Sequence, residues 1–304
     1  MRFAFIALIA LLAAAACTPS GAAPDESTLR VVATTGMIGD AARQIGGDAC
    51  EVTALMGPGV DPHLFRPSQR DLRVLSSADL ILYNGLHLEG RMGDILERMD
   101  GRTRTAAVTD GVPRELLQSS PEYAGQHDPH VWMSVALWRH AVEQIHEALV
   151  AADPANASVY DANAAAYLAE LEALDAEVRD ILGQVPESKR VLVTAHDAFG
   201  YFGEAYGYEV LGLQGISTDA EFGLRDIEQL IDIVVERDVA AVFLETSVSR
   251  RSLEALAEGA RARGHALRLG GPLYSDALGE EGSATGTYTG MIRHNARTIA
   301  EALL

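Results

Sequence analysis

Residues 157–182 read ASVYDANAAAYLAELEALDAEVRDIL, and within them Tyr160, Ala164, Tyr167, Leu171, Leu174, Val178 and Ile181 recur at alternating steps of four and three. That spacing predicts one unbroken amphipathic helix, with Gly183 as its stop. At about 1.5 Å per residue the helix would extend about 40 Å, long enough to run beside two separate bodies. On its amino-terminal side, strand patterns at 29–34, 51–55 and 80–83 alternate with helical patterns at 37–45, 67–78 and 90–99. On its carboxy-terminal side the rhythm restarts, with strand patterns at 190–194, 208–213, 239–244 and 266–269 and helical patterns at 224–236 and 252–263. Alternating strands and helices build parallel sheets covered by helices. The expected fold is therefore α/β, with two lobes, 29–156 and 184–304, each holding a mostly parallel sheet flanked by helices. The single long linker helix, 157–183, joins them. A packed helix is a stiff connector, so any opening of the cleft is expected to be small.

The segment before the first lobe reads as an export signal. Arg2 is followed by an apolar run over 3–16 and by Cys17 after three alanines. Such a pattern marks a signal peptide, 1–16, cut before a cysteine that receives a lipid. The run of about 14 residues is shorter than the roughly 20 that span a bilayer. Ala14 stands where a lipobox usually carries Leu, which leaves simple secretion as the alternative. Residues 17–28 lack apolar periodicity and read as a lipid-anchored tether.

Charge and cysteine content narrow the function further. Against 43 Asp and Glu the chain has only 24 Lys and Arg, a formal net charge of −19, so nucleic acid is not an expected partner. With Cys17 lipidated, Cys50 is the sole remaining thiol. An intramolecular disulfide and a cysteine-based zinc site are both excluded.

The chemistry concentrates in a duplicated tripeptide, Asp61-Pro62-His63 and Asp128-Pro129-His130. Proline fixes its own φ and biases its predecessor towards extended geometry, so each histidine is presented from a stiffened turn. Asp61 and Asp128 are close enough to accept an imidazole N–H. In the second lobe, the strand at 190–194 runs into Ala195-His196-Asp197, at a strand's carboxyl end, where α/β sheets collect ligands. Asp276 lies in the loop Gly271-Pro272-Leu273-Tyr274-Ser275-Asp276. Taken singly, His196 reads as structural and Asp276 as a helix N-cap. Taken together, His63, His130, His196 and Asp276 supply three neutral nitrogens and one carboxylate, two donors from each lobe. That set suits Zn2+, or Mn2+ if the aspartate binds through both oxygens. Glu245, at the end of another second-lobe strand, is a candidate carboxylate behind an imidazole.

The other histidines have plainer readings. His87, His140, His146, His265 and His294 sit in no repeated turn and at no clear strand end, and His140 and His146 fall on different faces of one helical stretch. His127 merely flanks the second turn. Trp132 reads as packing that helps exclude water. Three function classes fit an exported protein: a metal receptor, a metal-dependent hydrolase, and an adhesin-type surface lipoprotein. The hydrolase lacks a His-Glu-x-x-His segment, a Gly-x-Ser-x-Gly elbow and a phosphate-binding glycine loop. The adhesin reading leaves the duplicated tripeptide unexplained.

Four longer stretches carry a family resemblance: Asp128-Pro129-His130-Val131-Trp132, the run 193–202 (VTAHDAFGYF), the run 212–218 (GLQGIST), and Gly286-Thr287-Tyr288 with Met291 and His294-Asn295. In these the chain resembles the zinc and manganese solute-binding proteins of ABC importers, the cluster A-I group, over nearly all of its length beyond residue 28. The resemblance implies two α/β lobes joined by one long helix, with metal held between them by His63, His130, His196 and Asp276. It also implies a monomer that serves a membrane permease and its ATPase from outside the cytoplasm. His196 stands where manganese-preferring members of that group often have Glu, which tilts the expected cargo towards zinc. The His-rich loop of many dedicated zinc receptors is missing between 113 and 126, which keeps manganese open. Ser134 replaces an aspartate common in the group, and is expected to cap a helix equally well.

Overall fold

In the computed structural model, residues 28–99, 101, 103–119, 125–219 and 223–304 are described. The expected signal peptide, Cys17 and nearly all of the tether lie outside them. The amino-terminal sheet has the order β2-β1-β3-β4, all parallel. Its strands are β1 (Leu29–Ala33), β2 (Cys50–Ala54), β3 (Leu80–Tyr83) and β4 (Arg104–Ala107). Helices α1 (Gly36–Gly46), α2 (Gln69–Ser77), α3 (Gly93–Met99) and α4 (Val135–Ala152) complete that half. After α5 (Ala157–Leu182) come β5 (Val191–His196), α6 (Gly200–Tyr206), β6 (Glu209–Gln214), α7 (Leu224–Glu236), β7 (Ala241–Glu245), α8 (Arg251–Ala262), β8 (Arg268–Leu273) and α9 (Tyr288–Leu303). The second sheet is also parallel and repeats the first order, as β6-β5-β7-β8.

Both sheets reverse their strand order beside the first strand, between β1 and β3 and between β5 and β7. The crevice at such a reversal, beyond the carboxyl ends of the strands, is where open α/β sheets bind ligands. In the second lobe the two strands at the reversal end on His196 and Glu245.

The linker helix forms as its spacing dictates. Tyr160, Ala164, Tyr167, Leu171, Leu174 and Val178 are buried along one face, and Gly183 is the C-cap. In the last turn Leu182, not Ile181, goes inside. A stripe stepping by 3.5 residues drifts on a helix of 3.6 per turn, and here the drift has moved the buried position by one. Helix α4, N-capped by the Ser134 hydroxyl as expected, buries Trp138, Val142 and Ile145 against the same core.

Strand β8 differs from the expected 266–269: it starts two residues later and continues through Gly270-Gly271-Pro272. Gly-Gly-Pro reads as a loop, but β8 is an edge strand, where a missing N–H is tolerated. Gly271 has φ +91, and a Cβ there would lie 2.8 Å from the Leu244 carbonyl oxygen, so close backbone approach requires glycine. The extension brings the chain to the cleft just before Asp276, and no helix starts there, so the N-cap reading of Asp276 does not hold. Helix α9, which the sequence patterns left unnamed, begins only at Tyr288, capped by Thr287.

One hydrophobic core runs through both lobes. It joins Val31 and Leu82 of the first sheet to Leu192 and Phe243 of the second through Trp138, Leu171 and Tyr288. Among the described residues, no helix is long and apolar enough to cross a membrane.

Candidate metal centre

Four segments distant in sequence converge on one point. One donor atom each from His63, His130, His196 and Asp276 lies within 4.8 Å of the others, and all four residues are buried, at most 5% exposed.

His63 is carried by the loop after β2, and Asp61 Oδ1 accepts its backbone N–H at 2.9 Å. That bond shapes the turn but does not touch the ring. The other oxygen of Asp61 accepts from Thr218 Oγ1, at 2.6 Å. In the second turn Asp128 Oδ1 does both tasks, taking the His130 backbone N–H at 2.9 Å and lying 2.7 Å from Nδ1. A carboxylate at Nδ1 fixes the proton there, which turns the Nε2 lone pair towards the cleft. His130 Nε2 lies 3.3 Å from His63 Nε2 and 3.6 Å from Asp276 Oδ1.

His196 is held the same way from the other side. Glu245 Oε2 lies 2.6 Å from its Nδ1, while Oε1 accepts the backbone N–H groups of Ala195 and His196 at 2.7 and 3.1 Å. His196 Nε2 is then 3.3 Å from Asp276 Oδ2. Asp276 is steadied by the Ser247 hydroxyl, which donates to Oδ2 at 3.2 Å, whereas its buried Oδ1 has no hydrogen-bond partner among the described residues. Trp132 closes the floor: its Nε1 donates to the Ser275 carbonyl at 2.7 Å, and its ring centroid is 5.2 Å from that of His130.

The electrostatics divide the cluster. Burial, helped by the neighbouring imidazoles His130 and His196 and opposed by Asp276, lowers the His63 pKa to about 3, so this ring stays neutral. For His196 burial also disfavours the cation, but Glu245 and Asp276 outweigh it and hold the ring well above the ordinary histidine value. Asp276 is kept ionised: burial opposes its charge, yet His196, then His130 and His63, pull its pKa far below the usual carboxylate range.

Three imidazoles, two of them with a carboxylate at the far nitrogen, converge with a carboxylate oxygen that lacks a donor, and together form a donor set for a small divalent cation. The remaining histidines lie elsewhere. His127 faces the Gln118 carbonyl, His140 faces Glu143, His146 pairs with Asp161, and His265 and His294 meet the carbonyls of Val239 and Pro272. His87 occupies a left-handed turn at φ 64. Thr218 and Tyr201 were not legible as supports of the two turns, because their partners come from the other lobe, and Ser247 was not legible beside Asp276, because the two follow different strands. A cavity of about 640 Å³ beside β3, β4 and α4 is lined by none of the four residues.

A two-lobed α/β binding protein whose cleft buries three imidazoles and a carboxylate is the class that this fold and geometry define. The family described as "Zinc-uptake complex component A periplasmic" matches residues 31–302, and the chain belongs to that family. The chain is 48% identical over 297 residues to the manganese-binding lipoprotein MntA of Bacillus subtilis, covering 97% of each chain. It is 44% identical over 273 residues to the zinc-binding protein TroA of Treponema pallidum, covering 90% of this chain and 88% of the relative. The solved structure of that periplasmic zinc-binding TroA superposes with a TM-score of 0.89 at 43% identity, covering 91% of this chain and 99% of that one.

Proposed function

We propose that the protein is an extracytoplasmic receptor that captures Zn2+ or Mn2+ through His63, His130, His196 and Asp276 and delivers it to the permease and ATPase of an ABC importer. The observation that carries this reading is the convergence of four buried donors, two from each lobe, on a space the size of an ion. His63 and His130, on the first lobe, meet the ion first, and His196 and Asp276 complete its shell. Four protein donors leave no open position for substrate or water, which favours holding over hydrolysis. The named relatives support either metal, since one of similar identity is described for manganese and another for zinc. Anchoring through a lipid on Cys17, in a chain that acts as a monomer, is part of the same reading. It is supported by the apolar run before that cysteine and by relatives described as lipoproteins.

Elemental analysis of protein purified without added metal should find one zinc or manganese per chain, and competition between the two ions should rank them. Asp276→Ala should weaken binding by at least about 100-fold, since even the partners behind metal ligands are worth about 10–100-fold. An unchanged affinity in that variant would remove Asp276 from the site. Turnover of an ester, peptide or phosphate substrate that disappears in His196→Ala would overturn the receptor reading.

A further inference from the structure

Each Asp-Pro-His turn of the first lobe is gripped by a hydroxyl from the second. Thr218, in the loop after β6, donates to Asp61 Oδ2 at 2.6 Å, and Tyr201 of α6 donates to the Asp128 carbonyl oxygen at 2.9 Å. In both turns the same aspartate also accepts the backbone N–H of its histidine at 2.9 Å. Two hydrogen bonds in series therefore lead from the second lobe, through Asp61, to the backbone of His63.

The two grips differ in where they sit. Tyr201 is 1% exposed, belongs to the core shared by both lobes, and also accepts the Gln118 backbone N–H. That contact is permanent packing. Thr218 and Asp61 are only half-buried, and beside them the Arg91–Asp219 ion pair bridges the lobes at 2.5 Å in a more exposed position. A solvent-exposed ion pair contributes little and is screened by salt. A short hydrogen bond from a hydroxyl to an ionised carboxylate is worth more.

We propose that Thr218 is a positioning residue that couples closure of the lobes to the residence time of the metal. When the lobes meet, Thr218 Oγ1 reaches Asp61 and fixes the turn that presents His63. When they part, this bond goes first, and His63 is free to leave the ion. Thr218 touches no ligand atom in this scheme, so it governs release and not coordination. The proposal rests on the receptor reading given above.

The test is release of Zn2+ from the loaded full-length protein into excess chromogenic chelator, followed by absorbance, in wild type, Thr218→Val and Thr218→Ser. Thr218→Val should release Zn2+ about tenfold faster, with one ion still bound per chain, an unaltered association rate and an unaltered melting temperature of the metal-free form. Thr218→Ser, which keeps the hydroxyl, should restore slow release. Release from Thr218→Val at the wild-type rate overturns the coupling. So does faster release that Thr218→Ser fails to restore, or that comes with a destabilised metal-free protein, which would make the bond ordinary packing. Failure of the wild type to hold one Zn2+ per chain would instead overturn the receptor reading.

Discussion

At the scale of single residues, His196 decides how the site responds to acid. It lies between Glu245 and Asp276, and these two carboxylates hold its pKa well above 6.5 despite its burial. The two carboxylates thus favour a proton on the ring in the metal-free protein, which an incoming cation must displace. A ligand whose pKa is raised binds metal more tightly as pH climbs, and here the gain continues above the ordinary imidazole range. Loading at pH 7 should release about one proton, measurable by calorimetry in buffers of different ionisation enthalpy. Zero release would mean that His196 is already neutral. His63, held down to about 3 by burial, contributes no proton at that pH. Its effect on folding has the opposite sign. The contribution of the buried neutral ring is complete above the unfolded value near 6.5 and is lost as pH falls towards 3. The candidate ligands stood out in the sequence because proline stiffens two of the turns and a strand end carries the third, and the structure brings them together. The hydroxyls of Ser247 and Thr218 did not stand out, since an isolated serine or threonine in a loop announces nothing until its acceptor is known.

At the scale of elements, the linker helix was readable almost to the residue, whereas β8 and α9 were not. In α5 the apolar stripe is unbroken and one-sided, so periodicity alone defines it. In β8 the Gly-Gly-Pro run hides an edge strand whose register is set by its neighbour β7 and not by its own side chains. Helix α9 has apolar positions at Met291, Ile292, Ala296, Ile299 and Leu303, but the polar and glycine-rich loop before Thr287 obscures its start. The weight of α5 in the core can be measured. Leu171 is fully buried against both lobes, so Leu171→Ala should cost about 2–5 kcal/mol in denaturant unfolding. The exposed neighbour Glu172→Ala should change stability by less than about 0.5 kcal/mol. Equal losses from the two variants would show that the helix is not held by its apolar face.

At the scale of the whole molecule, two sheets with the same strand order face each other across the cleft, and α5 together with a common core limits how far they can part. Scattering with and without Zn2+ should change the radius of gyration by less than about 1 Å, against about 19 Å for a folded chain of this size. A change of several ångström would mean that α5 bends or that the core divides. The doubling of the α/β rhythm on either side of residues 157–182 made this architecture visible in advance, but the sharing of one interior did not show in any local pattern.

That sharing has a consequence for the order in which the protein can be assembled. The 16-residue helix α9 stacks Tyr288 on Trp138, takes its Tyr288 N–H to the buried Asp40 of α1, and sends the Tyr288 hydroxyl to the Trp132 carbonyl. The first lobe thus cannot seal its own interior until α9 has been synthesised and has docked. Until then the nascent first lobe leaves Trp138 and Asp40 without their partners from α9.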